Sequence, residues 1–208
     1  MPEGLPRLPF ARAFALAVIV VIAAACAPTL PNYDYAKEPD PRTTELVLGV
    51  GDVIAINVWE NNNLSSESTI RPDGTITMPL VGDVKAAGET PTSLKNHIKA
   101  LLANYVRLNN GTEITVAVRS WKSYRFTIQG EVSRPGVITS DQYVTVGDAI
   151  AMAGGLSRFA KRDELIIMRR DGKTGKIRRI PLNYEALASG KRPDMNIYML
   201  AGDTIWVP

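Results

Sequence analysis

Apolar residues recur with helical spacing at one place in the first half of this chain and with strand spacing around it. Residues 91–107 are predicted to form the clearest helix, because Leu94, Ile98, Leu101, Leu102 and Tyr105 make one apolar stripe. Thr90 is a suitable cap for this helix. Alternation of apolar and polar residues is typical of strands with one buried face. Strands are therefore predicted at residues 53–59, 68–70, 75–78 and 113–119.

The second half of the chain contains more strands and two short helices. Tyr124, Phe126 and Ile128 alternate as a strand. Thr145 and Asp148 have the spacing of a capping box, which opens a helix that reaches Ala153. The remaining predicted elements are a hairpin of residues 165–170 with 177–182, a helix at 184–188 and a last strand at 204–207. The pattern predicts an α+β fold of two small domains, the second similar to a β-grasp.

Glycine and aspartate pairs mark the turns between these elements. Glycine supplies the positive φ angle that tight turns and helix ends require. The two pairs Gly51-Asp52 and Gly202-Asp203 each precede a predicted strand, and we interpret this similarity as convergent turn chemistry. The residues assigned to structural turns are Asp52, Asp73, Gly74, Gly154, Gly155, Gly202 and Asp203.

The N-terminus resembles an export signal that ends at the single cysteine of the chain. Two arginines precede an uninterrupted apolar stretch at residues 13–25, which is shorter than the ~20 residues that span a membrane. Cleavage between Ala25 and Cys26, with acyl chains added to Cys26, is the favoured interpretation. An ordinary cleavage site with a chance cysteine is the alternative, since Ala23 stands where such signals usually carry leucine.

These features predict four regions along the chain. Residues 1–25 are the signal peptide, and the proline-rich residues 26–44 are a tether. Residues 45–120 and 121–208 are the two folded domains. No second stretch is apolar and long enough to span a bilayer.

Composition argues against several classes of function. The chain has 24 basic and 21 acidic residues, a net charge of +3, which does not suggest a nucleic-acid-binding protein. His97 is the only histidine, and it is expected on the flank of the first helix. Adjacent Asp163 and Glu164 would point to opposite faces of a strand, unlike a glycosidase pair. No catalytic, metal or cofactor site is predicted.

Several motifs, taken in order, resemble the outer-membrane polysaccharide export family, the Wza-type lipoproteins. Residues 46–120 are similar to the polysaccharide export domain of this family. Residues 121–208 are similar to its soluble-ligand-binding β-grasp (SLBB) domain. The motifs that carry the resemblance are GDVI at 51–54, RPDGTI at 71–76, MPLVG at 78–82, GEV at 130–132, RPG at 134–136, AGGL at 153–156 and GDTIWVP at 202–208.

The resemblance implies a role without catalysis. Members of this family form ring-shaped homo-oligomers that carry capsular polysaccharide or exopolysaccharide through the outer membrane, together with an inner-membrane co-polymerase. This sequence stops at Pro208 and shows one SLBB unit, so we expect a short form without the C-terminal membrane helix. Such a form would be a collar on the periplasmic face of the outer membrane. Its acyl chains on Cys26 would contact lipid, and a separate β-barrel or another export protein would supply the pore.

A cluster of basic residues is the candidate surface for an anionic polymer or an acidic partner. Eight basic residues fall between positions 161 and 179, and a ring would concentrate their potential. The alternative is an ordinary solvated hairpin whose charges prevent edge pairing. The candidate residues on the hairpin are Arg169, Arg170, Lys173, Lys176, Arg178 and Arg179.

Two other functions stay open at this point. A periplasmic receptor for a small molecule or oligosaccharide would need a deep apolar pocket with a few polar groups. A polysaccharide-modifying enzyme would need two facing carboxylates, one with a raised pKa. Trp59, Trp121 and Trp206 are expected to pack in cores or interfaces rather than to present rings to sugars.

Overall fold

The structure is a computed structural model that describes residues 30–106, 113–172 and 174–208. The predicted signal peptide, Ala25, Cys26 and Lys173 therefore lie outside the described residues. So does the predicted end of the first helix at residues 107–111. Residues Asn32–Pro208 make up one compact unit, which holds both predicted domains.

The first domain has a three-stranded sheet, a separate hairpin and one helix. The sheet order is β2-β1-β5 with antiparallel neighbours, and β3 pairs only with β4. The elements in chain order are β1 Val53–Val58, β2 Ser66–Thr69, β3 Thr75–Met78, β4 Gly82–Lys85, α1 Pro91–Leu102 and β5 Ile114–Ser120.

The core of the first domain confirms the predicted apolar faces. Ile54, Ile56 and Val58 of β1 are buried, and so are Leu94, Ile98 and Leu102 of α1; all six belong to one apolar cluster. The side chain of Thr90 accepts a hydrogen bond from the N–H of Ser93 at 3.1 Å, as its predicted capping role requires.

In this domain one strand was missed and the end of the helix was predicted wrongly. Strand β4 was not predicted, because only Val84 of its four residues is buried and no alternation marks it. Helix α1 ends at Leu102 instead of residue 107. Tyr105 was assigned to the apolar stripe but lies beyond the helix and is exposed.

The second domain is a five-stranded mixed sheet packed against one helix. The order is β7-β6-β10-β8-β9, in which β10 runs parallel to β6 and the other pairs are antiparallel. This β-grasp-like topology confirms the predicted α+β class. The elements are β6 Arg125–Gly130, β7 Gly136–Thr139, α2 Val146–Met152, β8 Leu165–Arg170, β9 Ile177–Leu182, α3 Tyr184–Ala188 and β10 Thr204–Val207.

Local sequence signals were most accurate in this domain. The capping box is present, since Thr145 N–H donates to the carboxylate of Asp148 at 2.9 Å and the Thr145 hydroxyl accepts from Asp148 N–H. Both strands of the β8–β9 hairpin have the predicted bounds. Strand β7 was not predicted, and only Ile138 of its four residues is partly buried.

Part of the expected tether is folded onto the second domain. We call residues 33–44 the strap. Tyr35 of the strap is only 3% exposed, belongs to the core of the second domain and donates a hydrogen bond to the carbonyl of Pro181. The guanidinium of Arg42 lies 4.4 Å from the centre of the Tyr198 ring. The prediction of a tether is therefore wrong for this stretch, which is packed because its aromatic and charged side chains find partners.

A buried carboxylate joins the two domains. Asp52 precedes β1 and is completely buried. One oxygen accepts from the N–H of Ser123 at 2.7 Å, and the other accepts from the Ser123 hydroxyl at 2.8 Å and from Gly49 N–H at 2.9 Å. A Cβ on Gly49 would lie 2.3 Å from the Cβ of Ser123, so only glycine permits this approach. The junction is thus fixed by contact between the ends of both domains.

Replacing Asp52 by asparagine tests this junction. In Asp52→Asn an amide NH₂ would face N–H donors, and we expect a loss of about 1–3 kcal/mol of unfolding free energy. Urea unfolding followed by circular dichroism measures the loss. Asp141→Asn is the matched control, because Asp141 is exposed. Equal unfolding free energies of the two variants would show that the Asp52 carboxylate does not stabilise the junction.

Candidate functional site

The basic hairpin exists, but one of its arginines does not face solvent. Its exposed basic residues are Arg170, Lys176, Arg178 and Arg179. The side chain of Arg169 is only 2% exposed, so the prediction that it faces a polymer is wrong. Alternation along β8 explains this, because Arg169 shares the inward face with buried Leu165 and Ile167.

Each nitrogen of the buried guanidinium of Arg169 donates to a protein acceptor. Its Nε donates to both carboxylate oxygens of Asp203 at 3.1 Å, and Nη2 donates to Oδ2 of Asp203 at 2.6 Å. Nη2 also donates to the carbonyl of Tyr198 at 2.7 Å, and Nη1 donates to Oε2 of Glu38 at 2.8 Å. Arg169 therefore ties β8 to the strap and to the turn before β10.

Glu38 links this buried arginine to a second one at the surface. Arg178 donates from Nη1 to Oε1 of Glu38 at 3.0 Å and from Nη2 to Oε2 at 3.1 Å, and the Tyr33 hydroxyl also donates to Oε1. Burial acts to raise the pKa of Glu38. The hydrogen bonds from Tyr33 and Arg178 and the charge of Arg169 outweigh burial, and the pKa lies below its ordinary value.

These residues form a balanced set of charges, which we call the Arg169 cluster: Tyr33, Glu38, Arg169, Arg178 and Asp203. Two guanidinium groups face two carboxylates, so the cluster carries no net charge. A buried ion pair is tolerated when each polar group has a partner. The cluster is therefore a structural clamp. Among the described residues of the hairpin, Arg170, Lys176 and Arg179 are the exposed cations that lie outside the cluster.

The two Gly-Asp pairs form the same local turn, each before a strand of a different sheet. Asp52 N–H donates to the carbonyl of Gly49 at 3.3 Å, and its carboxylate accepts from Gly49 N–H. Asp203 N–H donates likewise to the carbonyl of Leu200 at 3.1 Å, and its carboxylate accepts from Leu200 N–H at 2.7 Å. The glycine before each aspartate has a positive φ angle, +92° and +83°. The flanking sheets differ in order and direction, which favours convergent turn chemistry over a repeated domain.

The other predicted turn residues also act on the backbone. The carboxylate of Asp73 accepts from Thr75 N–H at 2.9 Å. Gly74 has φ +79°, and a Cβ there would lie 2.9 Å from the Cβ of Ala87. Gly154 and Gly155, with φ +78° and +86°, follow Ala153, the C-cap residue of α2. The structure thus places these residues in turns, and none of them is a member of the Arg169 cluster.

The remaining candidate side chains lie apart from one another. His97 is on α1, with Nδ1 3.1 Å from Oε1 of Glu89. Trp59 follows β1 and is 65% exposed, whereas Trp206 is 41% exposed. In the described ranges, no group of three or more His, Cys, Asp and Glu residues has the arrangement of a metal site.

The described ranges of the chain also bear on insertion into a membrane. Within them, no helix combines the length and apolar character needed to cross a bilayer. The lipid anchor at Cys26 and the cleavage after Ala25 lie outside these ranges and stay predictions.

Sequence reasoning missed the acidic half of the clamp. Glu38 and Tyr33 lie in a proline-rich stretch without apolar periodicity, and no local signal connects them with a strand more than 130 residues later. Arg169 was detectable, because alternation from Leu165 through Ile167 assigns position 169 to the inner face of β8. The neighbouring positive charges led instead to the prediction that the Arg169 side chain is exposed to solvent.

Removing the charge of Glu38 tests the clamp. Glu38→Gln would leave two guanidinium groups with one carboxylate, and we expect the free energy of strap opening to fall by about 2 kcal/mol. Hydrogen exchange of strap amides would then accelerate about 30-fold. Asp34→Asn is the control, since Asp34 is exposed and pairs only with Lys37 among the described residues. Unchanged strap exchange in Glu38→Gln would refute the clamp.

Comparison with protein families assigns both halves of the chain. Residues 40–119 match the model described as "Polysaccharide biosynthesis/export protein". Residues 125–180 match the model described as "SLBB domain". The first match covers β1 to β5 except the last residue of β5, and the second begins at β6.

Curated relatives match across both domains. The EPS I polysaccharide export outer membrane protein EpsA of Ralstonia nicotianae is 26% identical over 190 residues, which cover 80% of this chain and 48% of that protein. The capsule polysaccharide export protein BexD of Haemophilus influenzae is 27% identical over 179 residues, 76% of this chain and 42% of that protein. The capsule polysaccharide export outer membrane protein CtrA of Neisseria meningitidis serogroup B is 26% identical over 202 residues, 84% and 46% of the two chains. The chain thus spans about half the length of these relatives.

The family matches and the fold divide the chain at the same place. The export match covers the first domain and the SLBB match begins at the first strand of the second domain. The short gap between the two matched ranges contains the junction residue Ser123. Strand β10 follows the SLBB match and completes that sheet between β6 and β8. The chain belongs to the Wza-type polysaccharide export family, with a polysaccharide export domain followed by an SLBB domain.

Proposed function

We propose that this protein takes part in the export of capsular polysaccharide or exopolysaccharide across the periplasm and the outer membrane. The observation that carries the proposal is the ordered match of an export-family domain and an SLBB domain within one compact unit. The relatives described above are named as export proteins for such polymers. The family match favours export over a receptor for small ligands.

The proposed role is that of a lipid-anchored subunit in a ring or collar at the periplasmic face of the outer membrane. Acyl chains on Cys26 would supply the membrane contact. Further copies of the chain, an inner-membrane co-polymerase and a separate outer-membrane β-barrel would complete the translocon.

The charges of the second domain support a role without catalysis. The buried carboxylates Glu38 and Asp203 are engaged by arginines, so they are not available as a facing acid and base. Arg170, Lys176 and Arg179 are exposed on the hairpin. Exposed cations attract an anionic polymer through long-range, salt-screened interactions. Such weak contacts let a long chain move on.

Deletion of the gene tests the export role. We expect surface polysaccharide to disappear and polymer to accumulate inside the cell envelope, with both effects reversed by a plasmid copy of the gene. Immunostaining of intact and permeabilised cells measures the two pools. Normal surface polysaccharide in a deletion strain that has no second gene of this family would disprove the proposal.

The lipid anchor has a separate test. Cys26→Ser removes the thiol that would receive the diacylglycerol group, so we expect no incorporation of labelled fatty acid and a shift from the membrane to the soluble fraction. Ala27→Ser, one residue later, should keep both the label and the membrane fraction. Labelling of Cys26→Ser equal to that of the unmodified chain would eliminate the anchor.

A further inference from the structure

A groove with a volume of about 790 Å³ lies at the junction of the two domains. Its walls come from the end of β5, from the linker that follows and from the loop after β7. This volume falls in the range of small-molecule sites. The polar and aromatic residues that line the groove are Arg119, Ser120, Trp121, Lys122, Thr139, Ser140, Asp141 and Gln142.

Two cations border the groove and make it electropositive. Arg119 and Lys122 are both exposed, and neither has an ion-pair partner among the described residues. Asp141 is the one carboxylate that lines the groove within the described part of the chain. The lining thus carries one net positive charge and two cations in reach of an anion, which a guanidinium and an ammonium bind through charge-assisted hydrogen bonds.

Trp121 gives the groove a rigid aromatic wall. Its ring stacks on Tyr124 with centres 4.6 Å apart and an interplanar angle of 17°, and it meets the edge of Tyr143 at 4.9 Å. An indole held on one side by aromatic neighbours loses little conformational entropy when a ligand packs against it. Its flat surface suits the C–H-rich face of a sugar ring.

The remaining polar side chains are available for hydroxyl groups. Thr139 and Gln142 are exposed, and among the described residues neither side chain is engaged in a hydrogen bond within the loop. The loop itself is organised by Ser140, whose hydroxyl donates to the carbonyl of Gln142 at 2.8 Å and accepts from Gln142 N–H at 3.2 Å. A fixed loop therefore presents a hydroxyl and an amide, which donate and accept with equal ease.

We propose that this groove binds an anionic saccharide segment, with a sugar carboxylate at Arg119 and Lys122 and a ring against Trp121. Thr139 and Gln142 would hydrogen-bond the hydroxyls of the neighbouring sugar. The combination of cations with a rigid indole and hydroxyl-binding groups favours an acidic sugar over an acidic peptide, which needs only the charge. The assignment rests on the proposed export function and adds the class of polymer.

Nuclear magnetic resonance on the ¹⁵N-labelled full chain in detergent micelles tests the groove. The three indole N–H signals are assigned by replacing Trp59, Trp121 and Trp206 by Phe, one at a time. We expect tetragalacturonate to shift the Trp121 signal in a saturable way. Maltotetraose, which is neutral, and tetraglutamate, which is acidic but not a sugar, should shift it far less.

Matched variants locate the charge that matters. Arg119→Gln with Lys122→Gln should weaken tetragalacturonate binding about tenfold or more. Lys99→Gln with Lys191→Gln removes the same charge from two exposed positions outside the groove, and binding should stay within about twofold. Equal binding by both double variants, equal shifts from tetraglutamate, or a shift of Trp206 with Trp121 unchanged would each overturn the proposal.

The two proposals fail in different experiments. If deletion of the gene stops export but tetragalacturonate leaves the Trp121 signal in place, the groove assignment is wrong and the export role stands. If the groove binds the acidic sugar but the deletion strain exports normally, the export role is wrong.

Discussion

The buried guanidinium of Arg169 is the interaction on which the seating of the strap depends. Burying an ion costs several kcal/mol unless its partners and hydrogen bonds compensate. Arginine meets this condition here because its fork of donors reaches Asp203, Glu38 and a backbone carbonyl at once. Glu38 is 131 residues away in sequence, so the clamp joins segments that are distant along the chain. The strap is therefore part of the fold, since its departure would leave Nη1 of the buried Arg169 without its carboxylate acceptor.

The Gly-Asp turns show how one local device serves two long-range purposes. In each turn the aspartate accepts a hydrogen bond from the N–H three residues earlier, which fixes the entry to the following strand. The remaining lone pairs of each carboxylate accept hydrogen bonds from a distant partner. At Asp52 they bind Ser123 across the domain junction, and at Asp203 they bind Arg169. A side chain that sets the register of a strand thus also decides what that strand is attached to.

The sequence predicted elements whose signals are local and missed contacts whose partners are distant. Thr145 with Asp148, and the alternation in β8 and β9, depend on residues within a few positions of each other. The bounds of both strands were correct, and α2 ends at Met152, one residue before its predicted end. Strand β4 was not predicted because it is short and has only one buried residue. The packing of the strap was not predicted because Tyr35 and Glu38 are buried by contacts with β8 and β9. No periodicity in residues 33–44 reveals these contacts. For Arg169, charge and alternation conflicted, and alternation was the better guide because the inner face of a strand is set by the backbone.

Stability and proposed binding meet at the domain junction. Trp121 and Lys122 directly precede Ser123. The backbone N–H and the hydroxyl of Ser123 both donate hydrogen bonds to the carboxylate of Asp52. Arg119 comes from β5 of the first domain, while Thr139 and Gln142 come from the second. The distance between the two walls of the groove is therefore set by the same buried carboxylate that joins the domains. A polymer site built in this way needs no deep pocket: rigid walls keep the cations and the indole in place, and an open groove lets a long chain leave.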